Sequence, residues 1–310
     1  MEKSKLILNR ELEPELRLTL SKFSAFLDQT VDFGVKILEY ETLRTREGDA
    51  NIICLMLLRN ILELGDSISI LLKQSSIDPS KILIRSLIEN SLQIQYLKDD
   101  NFENRGLAYA FCQTKKKEIQ IKKMIENTDS NNQFERDLIS DRIIKSFSAE
   151  LNQINLKNQL KNYTDIVNSD HYKVINGEFL KIKGKARTNW FELFDGPKNI
   201  RDLSKSLGLL SLYEMFFKRY SSNVHIDDTF SGKVFQNSNG GTDIIQMRYF
   251  KDAQIVTLDS FLILQQFYIE YLSKREIKMQ NEFKEWHDLL KSPLEQLRNN
   301  EIIKVNETYG

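Results

Sequence analysis

The sequence predicts an all-α fold, a multi-helix bundle carrying one small β-hairpin. Twelve glycines and four prolines among 310 residues fall well below the usual shares of about 7% and 5%, and turn-rich β folds consume both. Apolar residues recur instead at helical spacing over long stretches. No segment rich in proline, glycine or serine marks a linker, and no fixed-period repeat is visible. A single helical domain over residues 1–310 is therefore expected, with a division into two subdomains near residue 170 as the alternative.

The first helix is predicted over Glu11 to Tyr40, where Leu16, Leu20, Phe23, Phe26, Leu27, Val31, Val35 and Leu38 keep helical spacing and Pro14 is tolerated in the first turn. A second spans Asp49 to Lys73. A third opens at Ile77-Asp78-Pro79, with Asp78 as capping side chain before a proline at the first helical position, and runs to Leu97. A fourth, Asn101 to Asn127, carries the lysines of 115–117 and 122–123 on a solvated face, and a fifth covers Gln133 to Val167. Between Tyr172 and Gly184, short apolar residues flank Asn176-Gly177, a pair suited to a two-residue turn, and the β-hairpin is expected there. A short helix follows from Asn199 to Leu207, then one from Leu209 to Ser222. A last helix starts near Lys251, runs past Lys274 toward Lys291, and stops near Pro293.

Charge and cysteine content narrow the functional classes. Lysine and arginine total 44 against 44 aspartates and glutamates, so no protein-wide positive field marks a nucleic-acid coat, and any such contact must be local. Cys54 and Cys112 lie far apart inside helical apolar patterns and read as buried hydrophobes of a reducing compartment. The N-terminal stretch lacks the apolar core of a signal peptide, and the richest apolar run, Ile52 to Leu58, is too short to span a bilayer. A cytoplasmic protein without membrane contact is expected. His171, His225 and His287 are the only histidines, and none has zinc-ligand spacing, so no metal and no cofactor is assigned. Asp227 and Asp228 read as loop residues, His171 and His287 as surface or packing residues.

The stretch Leu209 to His225 carries the chemistry. At 100° per residue, Glu214, Lys218, Ser221 and His225 fall on one polar stripe of an otherwise apolar helix. The bland reading is a solvated face with an ordinary Glu214–Lys218 pair. Arg219 lies about 120° around the axis from His225 on an ideal helix, so these two converge only if the helix ends or bends near Ser221-Ser222-Asn223, residues that favour helix boundaries.

Glu214, three residues, Lys218-Arg219, five residues and His225 resemble the E-x3-K-R-x4 to x6-H signature of HEPN-superfamily proteins, many of which are ribonucleases of toxin and antiviral systems. Tyr220 stands where that signature commonly has Asn, Asp or His. The stretch ending in Ser221 and His225 also resembles a large uncharacterised bacterial helical family that carries an upstream Arg-x-x-x-Glu helix, here Arg85 and Glu89. The resemblance implies catalytic His225 and Arg219, with Glu214, Lys218, Ser221, Arg85 and Glu89 in support. It implies RNA as substrate, a homodimer, and a defence or toxin–antitoxin partner protein. Such chemistry needs no metal, because the 2′-hydroxyl is a built-in nucleophile, histidine moves protons near neutral pH, and arginine's fork holds phosphate oxygens. The alternative is a non-catalytic helical module that binds a protein partner or a small anionic ligand.

Arg85 and Glu89 sit one turn apart on a helix that is apolar nearly all round, which marks it as central. Two readings stand for them. A closed, buried ion pair would fix helix register, and removing one partner would then cost roughly 3–5 kcal/mol. Otherwise the pair lines a pocket shared with His225.

Overall fold

The computed structural model describes residues 7–44, 47–98, 101–125, 153–182, 188–225, 233–236, 240–275 and 277–299. Among them the fold is all-α with one two-stranded hairpin. The helices are α1 (Pro14–Leu43), α2 (Asp49–Lys73), α3 (Ile77–Leu97), α4 (Phe102–Met124), α5 (Gln153–Val167), α6 (Lys173–Lys181) and α7 (Ile200–Ser206). Next, α8 (Leu210–Leu212) passes through a π-helical turn, Tyr213–Phe217, into α9 (Lys218–His225). Strands β1 (Val234–Gln236) and β2 (Thr242–Ile244) pair antiparallel, followed by α10 (Ala253–Arg275) and α11 (Gln280–Asn299).

The chain forms two compact units by interleaved segments rather than by one cut near residue 170. One comprises Met1–Arg46, Cys54–Asp99 and Ile200–Gly310; the other comprises Glu47–Ile53 and Asp100–Asn199. The core of the first is built from α1, α2, α3 and α10, where Leu20, Phe23, Leu27, Ile61, Leu87, Ile88, Phe261 and Phe267 are wholly buried. The helix predicted as central is so: α3 packs against α7, α9 and α10. Gly34 of α1 is required by a close approach, because a Cβ there would strike Leu62 and the Tyr268 ring, whose hydroxyl donates to the Thr30 carbonyl at 3.0 Å. In the other unit Phe111 of α4 meets Tyr172 at 5.8 Å and Phe179 at 5.5 Å, and His171 Nε2 lies 2.9 Å from Asp49 Oδ2.

Three expectations are corrected, and a fourth lies partly outside the described residues. The hairpin expected at Tyr172 to Gly184 is α6, because Ile175, Phe179 and Ile182 follow helical spacing and the first two pack inward, overriding the Asn176-Gly177 turn signal. The observed hairpin flanks Gly240 instead. Asp78 is not the cap of α3: Ser76 precedes the helix, and the Asp78 carboxylate accepts from Lys81 Nζ at 2.9 Å. Pro293 lies inside α11, whose amphipathic face buries Leu290, Leu294 and Leu297, so packing outweighs the one backbone bond that proline removes at the Leu289 carbonyl. The predicted span from Gln133 is described only from Gln153 onward, and the earlier part, like Asn127, lies outside the described residues.

A buried polar network in the first unit was not expected. Glu41, 1% exposed, accepts from Arg275 Nε at 2.8 Å and from the Tyr271 hydroxyl at 3.0 Å. The Tyr271 hydroxyl is also 3.8 Å from Cys54 Sγ. Lys98 Nζ sits 4.2 Å from the centre of the Tyr271 ring and donates to the Glu270 carbonyl. Burial pulls the Lys98 ammonium down to about 7 from its ordinary 10.5, with Arg275 and Lys274 adding to the effect and Cys54 and Glu270 opposing it. Between those two values the unfolded chain binds the proton and the folded chain does not, so stability rises with pH across that window. Lys98→Met is expected to flatten this rise and to raise the unfolding free energy at pH 7; urea titrations at pH 7, 8.5 and 10 measure both effects.

Candidate functional site

The signature helix is continuous from Leu210 to His225, and Ser221-Ser222-Asn223 do not break it. Their hydroxyls turn back onto the helix: Ser221 Oγ donates to the Phe217 carbonyl at 2.7 Å and Ser222 Oγ to the Arg219 carbonyl at 3.0 Å. These bonds satisfy the side chains without ending the ladder. The irregularity lies earlier, in the π-turn Tyr213–Phe217, where the Lys218 N–H reaches back to the Tyr213 carbonyl. Arg219 and His225 therefore stand about 120° apart around the axis by backbone position, as on an ideal helix. The expected convergence of the two within one chain is not supplied by a helix break.

Most signature residues have identifiable structural partners. Glu214 pairs with Lys218 and accepts from Arg201 Nε at 3.1 Å. The Lys218 bond, followed by the Arg201 bond, holds the Glu214 carboxyl below the usual range. Arg219 Nη1 donates to Asp259 Oδ2 at 2.9 Å, and the Tyr220 hydroxyl donates to the same oxygen at 2.6 Å. Burial and the Asp259 carboxylate push the Tyr220 phenol well up. The Arg219 side chain is 52% exposed, so much of its fork still faces solvent. Asp259 on α10 was missed by sequence reading. Its signal is an isolated carboxylate among Val256, Leu258, Phe261, Ile263 and Leu264, where an unpartnered charge would be costly.

Arg85 and Glu89 do not form a closed ion pair. The Arg85 guanidinium lies 4.9 Å over the centre of the Phe217 ring, and its Nε is buried with no hydrogen-bond partner among the described residues. Glu89 is half-buried, and burial raises its carboxyl above the usual range against the opposing pull of Arg85. The partnership is therefore through space. A carboxyl raised in this way favours the folded state when protonated, and that contribution is lost as pH rises through the folded value. Glu89→Gln is accordingly expected to leave the Tm at pH 7 unchanged or slightly higher, with a weaker acid dependence; a thermal-melt series from pH 4 to 8 checks it.

Helix α9 runs antiparallel to α3. Phe217 meets Arg85, whereas Ser222 shares a cleft with Ile77, Asp78 and Lys81, one to two turns earlier in α3. His225 closes α9 at that second level, and its backbone lies about 12 Å along the axis from Phe217. The side chain of His225 is outside the described residues, as are Asp227 and Asp228. Among the described residues no cluster of histidine, cysteine or acidic side chains could hold a metal ion. Cys54 and Cys112 are free and buried, and burial pushes the Cys112 thiol up to about 12. No helix among the described residues is long and apolar enough to cross a membrane.

Residues 51–242, more than half of the chain, match a family of unknown function, DUF5677. The chain belongs to the DUF5677 family. No curated protein and no solved structure matches it. The segment matched to DUF5677 includes Arg85, Glu89 and the whole stretch from Glu214 to His225. Asp259, which holds Arg219 and Tyr220 in this DUF5677 member, lies beyond the matched segment.

Proposed function

We propose that this DUF5677 member is an HEPN-like, metal-independent ribonuclease acting in the cytoplasm as the effector of a defence or toxin system. The observation that carries the reading is Arg85: a half-buried cation whose Nε is buried with no hydrogen-bond partner among the described residues, not closed by a carboxylate, next to the helix that bears the signature. Burying such a group without a partner is expensive unless a ligand uses it, and phosphate suits a planar fork with free donors. Arg85 would hold a phosphate neighbouring the one attacked, since it stands at the level of Phe217 rather than of His225. His225 would take the proton from the 2′-hydroxyl or return one to the departing 5′-oxygen, and Arg219 would stabilise the charge on the phosphorane.

Because Arg219 and His225 stand about 120° apart on one helix, the reading requires a symmetric homodimer that brings Arg219 of one copy to His225 of the other. Phe217 and Tyr220 are buried within their own chain, which leaves Tyr213, Phe216 and the exposed Met215 for such a contact. A monomer by light scattering, with and without RNA, would contradict this part of the proposal.

The pairing of Arg219 with Asp259 and of Glu214 with Lys218 favours a second reading, a non-catalytic module that binds an anionic ligand or partner through Arg85. One experiment separates the two: the full chain is incubated with a single-stranded RNA and the matching DNA in excess chelator. The nuclease reading expects RNA cut to 2′,3′-cyclic phosphate ends and DNA left intact. Binding without cleavage supports the module, and a magnesium requirement contradicts the proposed chemistry.

A further inference from the structure

Beside α9 lies a cleft of about 670 Å³, within the range of about 300–1,000 Å³ typical of ligand sites. Its position ties it to the signature: Ser222, three residues before His225, forms part of its wall, as does the start of α3. The segment after β2 contributes Tyr249 and Lys251 to the lining, and Lys233, just before β1, adds to it.

The charges in this cleft are unevenly engaged. Lys81 Nζ donates to Asp78 at 2.9 Å and to Asp252 at 2.6 Å, so this triad closes on itself and ties α3 to the segment before α10. Lys233 and Lys251 are exposed and make no ion pair among the described residues. Two open ammonium groups therefore border a concave space that also presents a half-exposed aromatic ring. Flexible cations beside an aromatic wall suit single-stranded nucleic acid, because the cations follow the phosphate backbone while any base can stack on the ring. A duplex keeps its bases stacked inside and cannot use such a wall.

We propose that this cleft holds the nucleotide adjacent to the cleaved bond of a single-stranded RNA, with Lys233 and Lys251 on its phosphates and Tyr249 against its base. The assignment rests on the ribonuclease reading and specifies its substrate: unpaired RNA that enters along the α3–α9 edge.

The test uses a fluorescent, 2′-O-methylated single-stranded RNA, which lacks the nucleophile and so reports binding alone, titrated against the full chain at several salt concentrations. Lys233→Gln and Lys251→Gln are each expected to weaken binding and to lower the slope of log K against log salt by about 0.7, the value of one single-strand phosphate contact. Tyr249→Ala should weaken binding by roughly tenfold, whereas Tyr249→Phe, which keeps the stacking face, should bind like the parent. Thermal melts of all four variants should match the parent. Unchanged affinity and salt slope in the variants, with RNA still cleaved by the parent, overturn the cleft and spare the ribonuclease reading. Weakening by the lysine variants with none from Tyr249→Ala overturns base stacking and leaves an acidic chain of any chemistry as occupant. A parent that neither binds nor cleaves RNA overturns both proposals.

Discussion

Arg275→Met is expected to destabilise the protein by roughly 3–5 kcal/mol, because it removes the guanidinium that pairs with the Glu41 carboxylate in the core. Both partners are buried, Glu41 at 1% and Arg275 at 8% side-chain exposure, so solvent does little to screen the loss. The Tyr271 hydroxyl, which also donates to Glu41, is neutral and does not replace the guanidinium's charge. The double variant Glu41→Leu/Arg275→Met is expected to recover much of the loss, since replacing both members of a buried pair by apolar groups is often neutral or better. Urea unfolding of the two variants measures the difference directly. Equal, small losses in both would mean that the pair contributes little to the fold.

Much of the helical plan was legible because amphipathic spacing is a strong local signal. The span predicted for the second helix coincides with α2, and α1, α3 and α7 lie within a few residues of their predicted bounds. What the sequence misplaced were the points where a local rule lost to packing. Asn176-Gly177 fits a tight turn, but Ile175 and Phe179 have an apolar partner surface only if the segment is helical. Pro293 should stop a helix, yet Leu290, Leu294 and Leu297 gain more by continuing it. Ser221 and Ser222 favour boundaries, and their hydroxyls instead bond back to the carbonyls of Phe217 and Arg219.

The candidate site was legible in its parts and not in its arrangement. Arg85, Glu89 and the signature stretch could be read from spacing, and Arg85 does meet Phe217 of that stretch. Which partner each charge would choose depends on contacts distant in sequence: Arg219 takes Asp259, forty residues on, and Glu214 takes Arg201 besides Lys218. The antiparallel run of α9 on α3, which sets Arg85 and His225 at different levels, has no local signal at all.

The central claim is that His225 moves protons in a metal-free cleavage of RNA, and one rate comparison tests it most directly. In excess chelator, single-turnover cleavage of a single-stranded RNA is measured for the parent chain and for His225→Ala, with the melting temperature and light-scattering mass of each recorded alongside. His225 ends its helix, and the comparison counts when the variant keeps the parent's melting temperature and mass. Its cleavage rate is expected to fall by roughly 10²-fold or more, the usual contribution of a positioned general acid or base. Cleavage by His225→Ala at the parent's rate, with fold and mass intact, would contradict the account.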